Sequence, residues 1–154
     1  MKLNLSRINV KNAVIISGDV DDFDTYWSAL PDADKAKCKG YFRHFTNCDW
    51  SFRCGGSCTG NLRCGMDMEG AEFACDCRGS QKDQGRFRLP ELRFKDATAV
   101  PDGDIDAYLA AHPDLKGKAR IFITPQFIEC RGQAGAQCTF VLEEETQTIF
   151  CHCE

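Results

Sequence analysis

Hydrophobic and polar residues alternate at the start of each half of the chain, as expected of a β-strand with one buried face. The alternation covers residues 3–10 and returns at 87–94. Its phase breaks once in each copy, at 6–7 and at 90–91, which indicates a bulged strand or two short strands. Because Pro90 has no N–H to donate to a ladder, we expect the second of these strands at a sheet edge.

A short helix is predicted next in each half. Apolar side chains recur at intervals of three and four within 19–30 and within 105–112, the spacing of one helix face. The acid Asp104 stands where a carboxylate can cap the free N–H groups of the second helix. Pro31 and Pro113 mark the two exits.

A central strand and a cysteine-rich hairpin complete each half. The strands are predicted at 41–45 and 119–123, and the hairpins at 64–75 and 138–151. A turn at the midpoint of each hairpin sets Cys64 opposite Cys75 and Cys138 opposite Cys151.

The same order of elements in both halves indicates a tandem duplication. The alignment matches 39–45 with 116–122, and the last cysteine of each half ends a Cys-x-Cys pair. We therefore predict a sheet-dominated α+β protein built from a repeated strand, short helix, strand and cysteine-rich hairpin. Repeat 1 spans 1–78, a polar, glycine-bounded linker spans 79–86, and repeat 2 spans 87–154.

Composition narrows the class of protein. The chain has 154 residues, is 43% hydrophobic and carries a net charge of −4. This charge argues against nucleic acid as the partner, and no apolar run is long enough for a membrane helix. The first residues lack the apolar core of a signal peptide. We expect an extracellular or periplasmic location if a leader has been removed, and a cytoplasmic one if the chain is complete.

Eleven cysteines carry most of the candidate chemistry. Four are shared by the two halves, and disulfide bonds explain such a quartet because facing hairpin residues lie within bridging distance. The pairs expected first are Cys64–Cys75 and Cys138–Cys151. A spare thiol is expected at Cys58, and it could join two chains. Three further pairs are expected, namely Cys54–Cys77, Cys130–Cys153 and Cys38–Cys48. The disulfide candidates are therefore Cys38, Cys48, Cys54, Cys64, Cys75, Cys77, Cys130, Cys138, Cys151 and Cys153.

A zinc site in each half is the alternative interpretation of the same quartets. Four thiolates in a tetrahedron suit Zn²⁺, and a reducing cytosol would keep the thiols free for it. The leading interpretation needs no cofactor. The candidate ligands are Cys54, Cys64, Cys75 and Cys77 in the first half, and Cys130, Cys138, Cys151, Cys153 and His152 in the second.

The sequence gives less support to a catalytic function than to a binding function. Redox enzymes commonly use a low-pKa thiol in a Cys-x-x-Cys pair, which this chain lacks, although its Cys-x-Cys pairs keep a thiol redox protein as a third interpretation. Aromatic residues near the first cysteine of each quartet are candidates for contacting a ligand, with protein or carbohydrate favoured over nucleic acid. They are Tyr41, Phe42, Trp50, Phe52, Phe122 and Phe127.

Two short segments of the second half resemble the duplicated cyanovirin-type lectins. They are Ile105-Asp106-x-x-Leu109 and the run 127–131, Phe-Ile-Glu-Cys-Arg. The spacing from Cys130 to Cys138 is shorter than in that family, and the Cys-x-Cys ending has no counterpart there, so we do not assign the chain to it. The sequence as a whole favours a non-enzymatic, disulfide-stabilised exported protein, binding or structural, with two related surfaces.

Overall fold

The computed structural model describes residues 2–16, 23–46, 49–69, 71–78 and 91–154. Within these residues strands dominate, with three short helices and a 3-10 turn at Pro113–Leu115. The helices are α1 Phe23–Ala29, α2 Asp32–Lys35 and α3 Ile105–Ala111. The strands of the first half are β1 Arg7–Lys11, β2 Ala13–Ile15, β3 Lys39–Thr46, β4 Asp49–Gly55, β5 Arg63–Glu69 and β6 Glu72–Arg78, and those of the second are β7 Glu91–Phe94, β8 Ala97–Ala99, β9 Arg120–Ile123, β10 Phe127–Arg131, β11 Cys138–Glu143 and β12 Thr148–Cys153.

The strands form two six-stranded sheets, each containing strands of both halves. Sheet I has the order β5-β6-β1-β10-β9-β8, and sheet II has the order β11-β12-β7-β4-β3-β2. The two orders are the same when the halves are exchanged. Within sheet I, β1 runs parallel to β6 of its own half and antiparallel to β10 of the other. In sheet II, β7 lies in the same way between β12 and β4.

One hydrophobic core lies between the two sheets and draws on both halves. Phe42 and Phe52 of sheet II have ring centroids 4.7 Å apart, and Phe52 stacks on Phe73 of sheet I at 6.2 Å. All three rings are fully buried, as are Phe94 and Phe140 of the second half. Neither half alone encloses this core.

The outer faces of the central strands pack against the helices. Tyr41 on β3 contacts the α1 aromatics Tyr26 and Trp27, while Phe122 on β9 packs with Ile105 of α3. Because successive strand residues point to opposite faces, these strands are buried on both sides. That explains the consecutive apolar residues Tyr41-Phe42 and 121–123 in the sequence.

The predicted fold class is confirmed: the structure is sheet-dominated with few helices. The helix α3 begins at Ile105, and the Asp104 side chain accepts a hydrogen bond from the N–H of Ala107 at 3.0 Å. The first helix is observed from Phe23, and the start predicted for it lies outside the described residues. So does the predicted linker 79–86. Tandem duplication and the repeat boundaries stay predictions, although the matching strand orders are what a duplication would produce.

The edge position expected for the strand after Pro90 is wrong. The strand β7 begins at Glu91 and lies inside sheet II, hydrogen-bonded to neighbours on both sides. Pro90 itself lies outside the described residues. A proline placed just before a strand does not interrupt the ladder of the residues that follow it.

The register of both hairpins differs from the prediction by two residues. Cys64 faces Cys77, and Cys138 faces Cys153. Each turn is centred one residue further along the chain than expected. A shift of two preserves which face each side chain occupies, so the hydrophobic pattern could not reveal it.

We predict that Phe52→Ala destabilises the protein strongly, because it empties the contact between the sheets. The free energy of unfolding should fall by about 3–5 kcal/mol, measured by chemical denaturation. Leu62→Ala removes an apolar side chain that is 43% exposed and should cost less than about 0.5 kcal/mol. Equal effects of the two substitutions would contradict the placement of the core.

Candidate functional site

Five disulfide bonds join ten of the eleven cysteines, and each bond stays within one half of the chain. Their Cα–Cα distances lie between 4.1 and 5.7 Å, compatible with bridging. The protein is therefore disulfide-stabilised, as is typical of an oxidising compartment. The pairs are Cys38–Cys64, Cys54–Cys75 and Cys58–Cys77 in the first half, and Cys130–Cys151 and Cys138–Cys153 in the second.

None of the five expected pairs forms. Cys58, expected as a spare thiol, is bonded to Cys77. Cys38 is bonded to Cys64, and its expected partner Cys48 lies outside the described residues. The expected bonds Cys64–Cys75 and Cys138–Cys151 do not form, because the hairpin register sets other residues opposite each other.

The expected bonds Cys54–Cys77 and Cys130–Cys153 are also replaced. Cys54 and Cys130 lie at equivalent positions on β4 and β10, and each joins the cysteine two residues earlier, Cys75 or Cys151. Each of these bonds connects a strand of one sheet to a strand of the other. Both observed pairs link β4 or β10 to the returning hairpin strand of the same half.

The four cysteines of the second half bring their sulfur atoms to one place. The Sγ atoms of Cys130, Cys138, Cys151 and Cys153 all lie within 4.8 Å of one another, and we call them the sulfur quartet. Gly132 makes room for it, since a Cβ there would lie 2.5 Å from the Cys153 Sγ.

The other candidate metal ligands are arranged differently. Among the described residues, the compact group of the first half contains Cys38, Cys58 and Cys77 instead of the four predicted cysteines. His152 is outside the sulfur quartet and contacts the Glu154 carboxylate at 3.3 Å, because alternation along β12 directs it away from Cys151 and Cys153.

A broad groove of about 1020 Å³ opens beside the sulfur quartet. One wall comes from α3 and the turn that follows it, and the other from the loop 132–137 between β10 and β11. Backbone bonds hold this loop, including one from the Gln137 N–H to the Glu154 carbonyl at 3.1 Å. The lining side chains that offer polar groups are Ser6, Asp106, Lys116, Arg131, Gln133 and Gln137.

Arg131 is the fixed charge of the groove. Its guanidinium donates to Asp106 at 2.7 Å and to Glu129 at 2.5 Å. Partial burial would lower the pKa of Arg131, but the hydrogen bonds to Asp106 and Glu129 outweigh it and raise the pKa. The side chain is therefore a permanent, oriented cation with two of its donors engaged.

The corresponding place in the first half is occupied by protein. The ladders make Gly55 the counterpart of Arg131 and Gly56 the counterpart of Gly132. A Cβ on Gly55 would lie 2.8 Å from the Trp27 ring, and one on Gly56 would lie 2.1 Å from the Lys37 carbonyl oxygen. The two halves therefore present different surfaces here, which revises the expectation of two related ones.

Four of the six aromatic binding candidates are core residues: Tyr41, Phe42, Phe52 and Phe122 are at most 2% exposed. They cannot reach a ligand from these positions. Trp50 and Phe127 are partly exposed. Trp50 meets the His44 ring edge-on at 5.5 Å, and the Arg7 guanidinium lies 3.7 Å from the centre of the Phe127 ring, so both have protein partners.

Sequence reasoning missed the polar side chains of the groove. Gln133 and Gln137 stand in a short segment with two glycines and two alanines between cysteines, a composition that indicates an exposed loop. Nothing in it shows that the loop faces α3. Ser6 is more distant in the sequence. It lies in the groove because its carbonyl accepts a hydrogen bond from the Cys130 N–H at 2.7 Å.

Comparisons with family models, with curated proteins and with solved structures find no match to this chain.

Within the described part of the chain, no helix is both long enough and apolar enough to cross a membrane.

Removing Cys38 and Cys58, two of the three cysteines that only the first half has, tests the pairing. In Cys38→Ser/Cys58→Ser, we predict that Cys64 and Cys77 bond to each other, as their counterparts Cys138 and Cys153 do at a Cα–Cα distance of 4.1 Å. The variant loses one disulfide overall, at a cost of about 2–4 kcal/mol in the free energy of unfolding. Peptide mapping without reduction identifies the bond.

The unaltered chain, digested in parallel, should give the peptides linked by Cys38–Cys64 and Cys58–Cys77. Free, alkylated Cys64 and Cys77 in the variant would show that the hairpin register of the first half is not as described.

Proposed function

We propose that this protein is a non-enzymatic binding protein of an oxidising, extracytoplasmic compartment, and that its groove takes a polar, uncharged ligand of the carbohydrate class. The observation that carries the proposal is the lining of the groove. Hydroxyl, amide and ion-paired groups converge there on a space of about 1020 Å³. Pockets use a few such placed groups to orient a ligand.

The polarity of the groove favours a carbohydrate over a protein partner. Protein interfaces generally rely on large aromatic or apolar anchors. Among the described residues, the exposed large hydrophobic side chain is Leu62, which does not line the groove. The two glutamines offer both donors and acceptors, as a polyhydroxylated ligand requires.

The Arg131 charge in the groove is compensated by ion pairs, which suits an uncharged ligand. The Arg131 cation is neutralised by Asp106 and Glu129. Its raised pKa keeps it charged at all physiological pH values, so it can orient a ligand but is unsuited to exchanging protons with one. Catalytic acids and bases usually have pKa values close to the working pH.

The disulfides support both the compartment and the mode of binding. Five bonds within 154 residues are typical of exported domains. The bonds Cys130–Cys151 and Cys138–Cys153 hold the floor of the groove. A preformed site of this kind spends little conformational entropy when it binds.

A screen of the oxidised chain against immobilised neutral oligosaccharides tests the proposal. We expect selective binding that Gln133→Ala/Gln137→Ala weakens about tenfold or more, since the variant removes about two hydrogen bonds. Titration calorimetry with the best oligosaccharide measures the change.

Lys95→Ala is the control and should leave the affinity unchanged, because Lys95 is an exposed charge just after β7 and away from the groove. Binding that is equal in the groove variant and the control would place the ligand elsewhere. A folded chain that binds none of the oligosaccharides would overturn the proposal.

A further inference from the structure

The sulfur quartet has a geometry that its two disulfide bonds do not require. Two separate disulfides can lie far apart, yet here all four sulfur atoms lie within 4.8 Å of one another. The Sγ atoms of Cys151 and Cys153, which are not bonded to each other, are 3.8 Å apart. They belong to a Cys-x-Cys pair whose side chains share one face of β12.

The separation of Cys151 from Cys153 matches that between two ligands of a tetrahedral zinc site. A Zn–S distance of about 2.3 Å sets neighbouring sulfurs about 3.8 Å apart, the distance that already separates Cys151 from Cys153. The bonded pairs need only open toward this same spacing. Cys130 is 3% exposed and the other three are half-buried, which would shield a bound ion from water.

We propose that reduction of Cys130–Cys151 and Cys138–Cys153 converts the sulfur quartet into a Cys₄ site for one Zn²⁺. The reductant is a dithiol. Two dithiol molecules supply four electrons and four protons, become two disulfides themselves, and leave four thiols on the protein. Zinc binding then releases the four thiol protons, since the ligands are thiolates. Oxidation by a disulfide reverses the sequence and releases the ion.

Among its described residues, the first half does not offer an equivalent site. Of its counterpart cysteines, Cys54 and Cys75 form a separate bond between the sheets. The compact group of its described residues has three sulfurs, Cys38, Cys58 and Cys77, and Cys77 is exposed. The expected stoichiometry is therefore one zinc ion per chain, in contrast to the one per half that the sequence alone suggested. The site does not depend on ligand binding in the groove.

The test uses the full chain, reduced by a dithiol and then freed of it without oxygen. Zn²⁺ is added, unbound metal is removed, and zinc per chain is measured by elemental analysis. Alkylation followed by peptide mapping then shows which thiols the metal protects. We expect about one equivalent of zinc, with Cys130, Cys138, Cys151 and Cys153 protected and the cysteines of the first half alkylated.

Matched variants and a second metal make the result decisive. Cys153→Ser should abolish retention of zinc, while Cys77→Ser, its counterpart in the first hairpin, should leave it unchanged. Co²⁺ in place of Zn²⁺ should give the thiolate charge-transfer absorption and d–d bands of a tetrahedral sulfur site. No retained metal, two equivalents, or protection of first-half cysteines in place of the quartet would overturn the proposal. So would retention that is unaffected by Cys153→Ser.

Discussion

The structure depends on the exchange of strands between the two halves of the chain. Because β1 pairs with β10 and β7 pairs with β4, neither half can complete a sheet by itself. The disulfides supply the connections that strand pairing does not, namely those between the two sheets. Cys54–Cys75 and Cys130–Cys151 each join a strand of one sheet to a strand of the other within one half. Cys38–Cys64 links the residue just before β3 of sheet II to β5 of sheet I, and Cys138–Cys153 lies within sheet II. Hydrogen-bonded ladders therefore hold the halves together within each sheet, and disulfides hold the sheets together within each half.

The combination of strand pairing between the halves and disulfides between the sheets explains why a small chain can enclose a core of large aromatic residues. The rings of Phe42, Phe52 and Phe73 fill the space between the sheets, and each sheet brings side chains from both halves to that space. Loss of either set of connections would expose the same core. We therefore expect the two halves to unfold together, since neither retains an enclosed apolar surface without the other.

Local signals in the sequence were sufficient to predict which segments form strands and helices, but insufficient to predict which strands pair with each other. The helix cap at Asp104 and the strand that ends near Val10 could be predicted from the sequence, because both depend on neighbouring residues. The pairing of β1 with β10 was not, because nothing local specifies a contact across more than a hundred positions. The ladders also make Tyr41 the counterpart of Phe122, where the sequence alignment had chosen Phe45. The groove was missed for the same reason, since its walls are polar segments brought together only by the sheets.

The different use of equivalent hairpin positions explains why the two halves present different surfaces. In the second half, the bond between Cys138 and Cys153 is made across the hairpin itself. The corresponding positions of the first hairpin face each other in the same way, but each is bonded instead to a cysteine that the second half lacks. These additional bonds draw the neighbouring segments over the end of the sheet, where Lys37 lies against Gly56. The second half keeps its bond within the hairpin, and the same end of its sheet remains open as the groove. The bonds to Cys38 and Cys58 thus accompany a closed surface in the first half, whereas the second half keeps the groove to which we assign ligand binding as a proposal.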